Sequence, residues 1–386
     1  MASEYPRVGP ILCLCQEDNH RKLIPPYAAA FRQLGVPFLT VDWCPRLDVS
    51  IHQLLSHCDE EPAWIFHFES DLPLLPKGLE RCGIPTVCFQ VDTFTYPLRR
   101  IRWSSLFDYV AVFHPGYDEL YRRSGHNGAF LHPHAVRRDF FDLPEVSRDW
   151  DVGWVGQTAG KIYGRRAKWI PKLAATFRMN DWNSRLSLAE VAEIYRRSRV
   201  VVNFGRDDYP EDANMRVFEA LASGALLVTS LPSELTALGF SEGVHFAGYR
   251  TESEIIPIVR KFLDDEPSRM RIAAAARKKV LCEHSYEVRA AQLLSCLREK
   301  NNEQLAPART WNSSAVRLAY LDFFAAHGLM KLATSEFSHL LASDVLTAVN
   351  GASVLTRAWL HHSLSAWNQT SVRRFIRRRA ARGGFV

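Results

Sequence analysis

The 386-residue sequence has no uninterrupted apolar run of bilayer-crossing length, which argues against a membrane-spanning helix. Its first residues, Met1 to Pro10, include Glu4 and two prolines and no apolar stretch of the secretory-signal type. Cysteine occurs eight times, but in no C-x-x-C pair and with no histidine at zinc-like spacing. Several cysteines stand inside apolar runs, as in ILCLC and TVCFQ, and read as small buried hydrophobes in a reducing compartment. Cys13 and Cys15 are read on opposite faces of one strand. No G-x-G-x-x-G opens a helix after the first apolar strand, where QEDNH stands instead, so a dinucleotide-dependent oxidoreductase is disfavoured. No short internal repeat is present.

What is present is an apolar share of 47% and a charged share of 23%, the balance of a globular protein, on a chain long enough for two cores. The net charge of +6 is unevenly placed. Residues 301–386 hold ten Lys/Arg against four Asp/Glu, so the whole excess lies in this tail and residues 1–300 balance.

The first 145 residues alternate apolar strands with amphipathic segments. Strands are expected at Ile11–Gln16, Pro37–Trp43, Ala63–Ser70, Pro85–Asp92 and Tyr109–His114, and helices at Pro25–Leu34, Ile51–His57 and Gly116–Ser124. Near-continuous apolar strands separated by helices indicate a parallel sheet covered on both faces. Polar residues gather where these strands end, the edge at which doubly wound sheets bind ligands. Leu143–Trp150 reads as a linker, and a second alternation follows. Its strands are expected at Asp151–Val155, Ala174–Met179, Arg199–Phe204, Ala225–Thr229 and Val244–Ala247. Its helices are expected at Leu188–Ser198, Asn214–Ser223, Glu252–Leu263, Pro267–Cys282 and Tyr286–Lys300. The division is thus 1–145, 150–300 and a helical extension over 301–386.

The most informative stretch runs from Val200 to Thr229. An apolar strand ends at Asn203–Phe204–Gly205, a polar loop follows, a helix starts near Asn214, and Gly224 stands at its C-cap position before another apolar strand. Such a helix N-terminus offers unpaired N–H groups and a favourable dipole to a diphosphate. Glu219 is spaced along that helix to accept from a ribose hydroxyl pair, and Glu211 lies seven intervening residues before it. The bland alternative is a glutamate on the solvent edge of an ordinary helix.

The segment N-x-R-x-F-E-A-L-A-S-G-A-L-L-V-T resembles the donor-nucleotide motif of family-4-like GT-B glycosyltransferases, most of all those of the CgeB spore-maturation type. DVGWVGQ, the helix end IYRRS, VVVNF, EGVHF and the closing H-S-Y-E-V-R of His284–Arg289 extend the resemblance over Asp151–Leu297. It implies the GT-B fold, two Rossmann-like doubly wound α/β domains facing across a cleft, with the acceptor bound by the first and the nucleotide-sugar by the second. It makes Glu219 the ribose ligand, sets Arg216 and Asn214 near the diphosphate, and puts Glu211 at the donor sugar, with Asp207, Asp208 or Asp212 as alternatives. The loop Gly156–Arg166 offers Gly156, Lys161, Arg165 and Arg166 to the diphosphate, and Asn203 ends the preceding strand at the same edge. A solvated turn is the plainer reading of that loop. Retention of the anomeric configuration is a further implication.

Arginine, lysine and helix N–H groups can stabilise a departing diphosphate without a metal. No D-x-D follows a strand, so neither a metal nor any cofactor beyond the nucleotide-sugar is expected. In the first unit, His67 (IFHFESD) is the leading catalytic candidate, expected to follow its strand and face the cleft, against the alternative of a satisfied strand-end histidine. Asp92 and His114 are lesser candidates, and His132 and His134 read as structural. Phe94, Tyr96 and Trp103 could stack on an acceptor or pack beneath a loop.

Six arginines lie between 373 and 382 around Phe375 and Ile376. A solvated tail is narrowly preferred, followed by a membrane-surface segment with Phe385 as a further anchor; nucleic acid is not expected. The helices before it are expected to pack on the body or form a subunit contact. The setting is read as cytoplasmic, with peripheral contact at the inner membrane surface as the extension. Competing functions are a non-catalytic sugar-nucleotide or glycan-binding protein on the same scaffold and a GT-B epimerase or phosphorylase.

Overall fold

The computed structural model describes residues 9–15, 23–42, 49–68, 75–95, 97–184, 186–302, 313–326 and 328–367. The first unit runs β1 (Ile11–Cys15), α1 (Ile24–Gln33), β2 (Phe38–Asp42), α2 (Ile51–Leu55), β3 (Trp64–Phe68), β4 (Thr86–Gln90), α3 (Pro97–Ser104), β5 (Tyr109–Val112), α4 (Tyr117–Arg123), β6 (Ala129–Leu131) and α5 (Arg138–Phe141). Its six strands pair in the order β2-β1-β3-β4-β5-β6, all parallel. β1, β3 and β4 are buried along their whole length, because helices cover both faces. Alternate residues serve alternate cores: Ile11, Cys13 and Cys15 join one cluster, Leu12 and Leu14 the other. Cys13 and Cys15 therefore share a face, as the two-residue period of a strand requires, and do not point to opposite sides. None of the seven described cysteines is in a disulfide.

The second unit runs β7 (Trp150–Gly153), α6 (Gly164–Thr176), α7 (Leu188–Arg196), β8 (Ser198–Asn203), α8 (Met215–Ala222), β9 (Leu226–Ser230), α9 (Ser233–Ala237), β10 (Ala247–Tyr249), α10 (Ile255–Asp264) and α11 (Glu266–Glu283). Its sheet is parallel in the order β10-β9-β8-β7. The expected strand at Ala174–Met179 does not form: helix α6 runs to Thr176, and only Met179 bridges to Val152. That bridge lies on the far side of β7 from β8, so the chain reverses direction across the sheet between β7 and β8. The last strand also starts later than expected, at Ala247, after a turn in which His245 Nδ1 accepts from the Ser241 N–H.

The chain then returns to the first unit. Val136 and the His284–Tyr286 stretch exchange backbone hydrogen bonds of 2.8 and 3.2 Å, and α12 (Tyr286–Asn302) packs on α1. Tyr286 meets Tyr27 edge-on at 4.9 Å, and Ala290, Leu293, Leu294 and Leu297 complete the first unit's core. The H-S-Y-E-V-R run is thus the stitch between the two units. Within it His284 lies against Phe218 and Phe240 and pairs with Arg289. Helices α13 (Ser313–Ala326), α14 (Met330–Ser343) and α15 (Val345–Trp367) form the helical C-terminal region, with α13 packed on α3. Among the described residues no helix is long and apolar enough to cross a membrane.

Candidate functional site

The carboxyl ends of β7 and β8 face the reversal of strand order, the place where doubly wound sheets bind ligands. After β7 the chain forms the loop to Tyr163. After β8 it forms the loop to Asn214. The two loops meet where Asp207 N–H donates to the Ile162 carbonyl at 3.0 Å.

Sequence reading placed Arg165 and Arg166 in a loop, but both lie in the first turn of α6. Arg165 donates to Asp207 at 2.8 Å and to the Arg206 carbonyl at 2.8 Å, and it lies 3.5 Å from Glu252. Asp207 thereby binds the start of α6. Arg166 is 2% exposed, donates twice to the Phe204 carbonyl at 3.1 and 2.7 Å, and lies over the Tyr163 ring. Burial first, and the Arg216 guanidinium second, lower its pKa to about 10. Arg216 stands in the first turn of α8 and makes no hydrogen bond or ion pair with a described residue. Two guanidiniums are thus within electrostatic reach, one anchored and one unpaired.

Asn214 occupies the N-cap of α8, where its carbonyl accepts from the Val217 N–H at 2.9 Å; its side chain makes no capping hydrogen bond, which leaves the Met215 and Arg216 N–H groups to another acceptor. Glu219 lies one turn further along α8, and its charge reaches Tyr195 and Tyr286. Glu211 is exposed and turned toward α9, where it accepts from Ser233 N–H at 3.2 Å and from the Ser233 hydroxyl. Lys161 is exposed in the β7 loop. A Cβ at Gly156 would come within 2.9 Å of the Trp154 ring, so the loop can turn tightly there only with glycine. Asn203 is internal framework: its amide donates to Thr229 at 3.1 Å, tying β8 to β9, and its carbonyl accepts from Tyr249 at 3.1 Å.

His67 does not face the cleft. It lies within β3, 0% exposed, edge-on to Trp103 at 5.2 Å and tilted against Phe107 at 5.6 Å. In a strand buried on both faces a polar residue need not mark the strand's end. His132 and His134 are structural, as read: His132 bonds the Tyr27 hydroxyl at 2.6 Å, and burial holds both near pKa 3.

The group that joins the two units across the cleft was not assembled from sequence. His114, just past β5, sets Nδ1 2.9 Å from Oε1 of Glu234, in α9. Asp212 follows at 3.9 Å, and all three side chains are buried. Burial alone would lower the His114 pKa, but the hydrogen bond and charge of Glu234, with Asp212 and Asp92, raise it overall. Asp212 is raised to about 6, by burial before the neighbouring carboxylates. The three side chains place ligand-type atoms within 4.8 Å of one another. Yet Glu234 already accepts from Tyr209 at 2.7 Å and Ala213 N–H at 2.8 Å as well as from His114, so its lone pairs are engaged by the protein. Phe94 stacks on Tyr209 at 4.1 Å and 8°, and the Arg206 guanidinium lies 4.9 Å from its ring centre, so this aromatic packs across the cleft. Trp103 is core, and Tyr96 lies outside the described residues. A signal for Glu234 existed in L-P-S-E-L after an apolar strand: a proline and a carboxylate at the start of a helix on the binding edge.

Residues 148–295 match the family model described as "Glycosyl transferase-like". No curated protein matches the chain. Among solved structures, the fold is similar to that of Anabaena HepE in complex with UDP, at 12% identity and a TM-score of 0.51, over 75% of this chain and 100% of that one. HepE with UDP and glucose gives 13% and 0.52 over 76% and 100%, and HepE with UDP-glucose gives 12% and 0.52 over 75% and 99%. The architecture is that of the GT-B glycosyltransferases, and its second unit carries a glycosyltransferase-like sequence pattern.

Proposed function

We propose that this chain is a GT-B glycosyltransferase that moves a hexose or related sugar from a nucleoside-diphosphate donor to an acceptor bound against the first unit. The observation that carries the reading is the position of Arg216 in the first turn of α8, at the β7–β8 reversal, with no hydrogen bond or ion pair to a described residue. A guanidinium without a described partner beside the Met215 and Arg216 N–H groups of a helix start is a donor set suited to a diphosphate. UDP is the first nucleotide to test, because HepE is described with UDP and UDP-glucose.

In this reading Glu219 accepts from the ribose hydroxyls, and Arg216, Asn214 and Lys161 hold the diphosphate, with Arg166 fixing the strand end beneath them. Their positive charge stabilises the leaving group, so no metal is required. Departure and attack on one face, with retention, then call mainly for positioning. The H-S-Y-E-V-R stitch supports the CgeB-type kinship, and the described cysteines, held as thiols and not as disulfides, fit a cytoplasmic setting. A non-catalytic nucleotide-sugar binder is the second reading, since donor recognition alone does not establish turnover.

The test is release of nucleoside diphosphate from a panel of nucleotide-sugars with a chelator present, read by chromatography. Release that disappears in Arg216→Ala supports the transferase. Donor binding without release, even with candidate acceptors added, supports the binder.

A further inference from the structure

The amino ends of β7, β8 and β9 form the edge of the second sheet opposite the proposed donor site. A cavity of about 880 Å³ opens at that edge, a size that holds small-molecule ligands. One wall is the segment 142–146, on the chain's way from the first unit to the second, and the other is α11, which leads back. The lining is basic, with seven lysine and arginine side chains against three carboxylates. Arg148 donates to the carbonyls of Arg196 at 3.1 Å and Ser198 at 2.6 Å, and its Nη2 lies 3.5 Å from that of Ser223. Gly224 leaves it room, since a Cβ there would come within 2.8 Å of Nη2.

Carbonyls fix this guanidinium without cancelling its charge. The C-terminal ends of α7 and α8 lend only partial charge, and no described carboxylate forms an ion pair with Arg148. Its Nε–H has no hydrogen-bond partner among the described residues. Burial first lowers its pKa; Glu145 opposes this, and Arg269, Arg196 and Arg277 add to it, so three further guanidiniums act on it here. Those three have carboxylates of their own, at 2.6, 3.6 and 3.3 Å in that order. Lys278, exposed in the same lining, has neither hydrogen bond nor ion pair with a described residue. The unbalanced charge thus rests on Arg148 and Lys278, with Arg277 next to Lys278 on α11. Guanidinium and ammonium N–H groups gathered in one cavity suit the several oxygens of a phosphate better than a single carboxylate. Leu143 and Met270, 43% and 57% exposed in the same lining, add apolar surface for the rest of a ligand. The arginine-rich end over 373–382 lies outside the described residues and takes no part. We propose that this cavity is a second anion site, for a soluble small molecule carrying two or more phosphate charges, with Arg148, Arg277 and Lys278 as its ligands.

The experiment is calorimetric titration of inorganic pyrophosphate, at low salt, into the full chain carrying Arg216→Ala, which takes the proposed donor site out of the measurement. Binding is expected to persist there and to weaken with added salt. Adding Arg277→Gln and Lys278→Gln to the same protein is expected to lower affinity at least about tenfold at an unchanged melting temperature. Lys278→Gln alone, at an exposed position with no described partner to lose, moves affinity in the same direction should the combined variant not fold. Cys282 lines the same cavity and is exposed, so pyrophosphate is expected to slow its alkylation in the wild type, read by peptide mass spectrometry. Absence of pyrophosphate binding by folded Arg216→Ala protein overturns the proposal. So does unchanged affinity in the folded combined variant, or Cys282 alkylation that saturating pyrophosphate leaves unaltered.

Discussion

His114 Nδ1 and Glu234 Oε1 lie 2.9 Å apart, and the two residues are brought together from different sheets. The imidazole comes from the carboxyl end of the first sheet and the carboxylate from the second unit's α9. Both are buried, and the Glu234 carboxylate also binds Tyr209 and Ala213 N–H. This buried polar contact holds the cleft's two walls together beside the proposed donor site.

It sets a pH dependence. His114 has a folded pKa above its ordinary 6.5, so its charged form contributes stability that is fully present below that value and lost as pH rises through the raised one. Asp212, raised from 3.8 to about 6, contributes in the same sense, with stability lost as pH rises through about 6. Thermal unfolding should therefore show a fold that weakens from mildly acid toward alkaline pH. Glu234→Gln removes the main cause that raises His114, and burial then moves its window below 6.5. His114→Ala strands a buried carboxylate and costs about 3 kcal/mol. An identical pH profile in Glu234→Gln would contradict this pairing.

His67 is expected to matter for folding and not for ligand binding. Truncation to alanine opens a hole between Trp103 and Phe107 and costs about 2–4 kcal/mol, as other large-to-small core changes do. Nucleotide affinity measured below the lowered melting temperature stays at the wild-type value. A stable His67→Ala protein with impaired turnover would return the residue to the catalytic role first read from sequence.

Arg166 makes a different kind of prediction. Its two bonds to the Phe204 carbonyl come from the planar fork of a guanidinium, which lysine cannot reproduce. Arg166→Lys is expected to cost about 1–3 kcal/mol and to weaken nucleotide binding, because the end of β8 shifts. Equal stability of the two proteins by denaturant titration would show that the bidentate bond carries no weight.

Much of the fold was legible because fully buried parallel strands are continuous apolar runs. Ile11–Cys15, Thr86–Gln90 and Ser198–Asn203 could be read to within a residue or two. The start of α6 was not, since glycines at 160 and 164 and Pro171 within the helix imitate a loop. The short β6 could be noticed only as a strand and turn around L-H-P-H-A-V, without bounds, because just Ala129–Leu131 announce it. The motif of α8 could be located, but not the state of its residues. That Arg216 lacks a partner among the described residues while Arg166 is spent on Phe204 depends on distant chain segments. The His114–Glu234 contact was hidden for the same reason, because no periodicity links residues 120 positions apart.

The most direct test is calorimetric titration of UDP into the wild-type protein and into Arg216→Ala and Glu219→Ala, each checked for an unchanged melting temperature. Loss of a charged hydrogen bond to the ligand is worth about 1.5–3 kcal/mol, so affinity should fall by about ten- to a hundredfold in Arg216→Ala and by at least severalfold in Glu219→Ala. Equal affinity in all three proteins, or no binding of UDP or any other nucleoside diphosphate by well-folded wild type, would contradict a donor site at the start of α8.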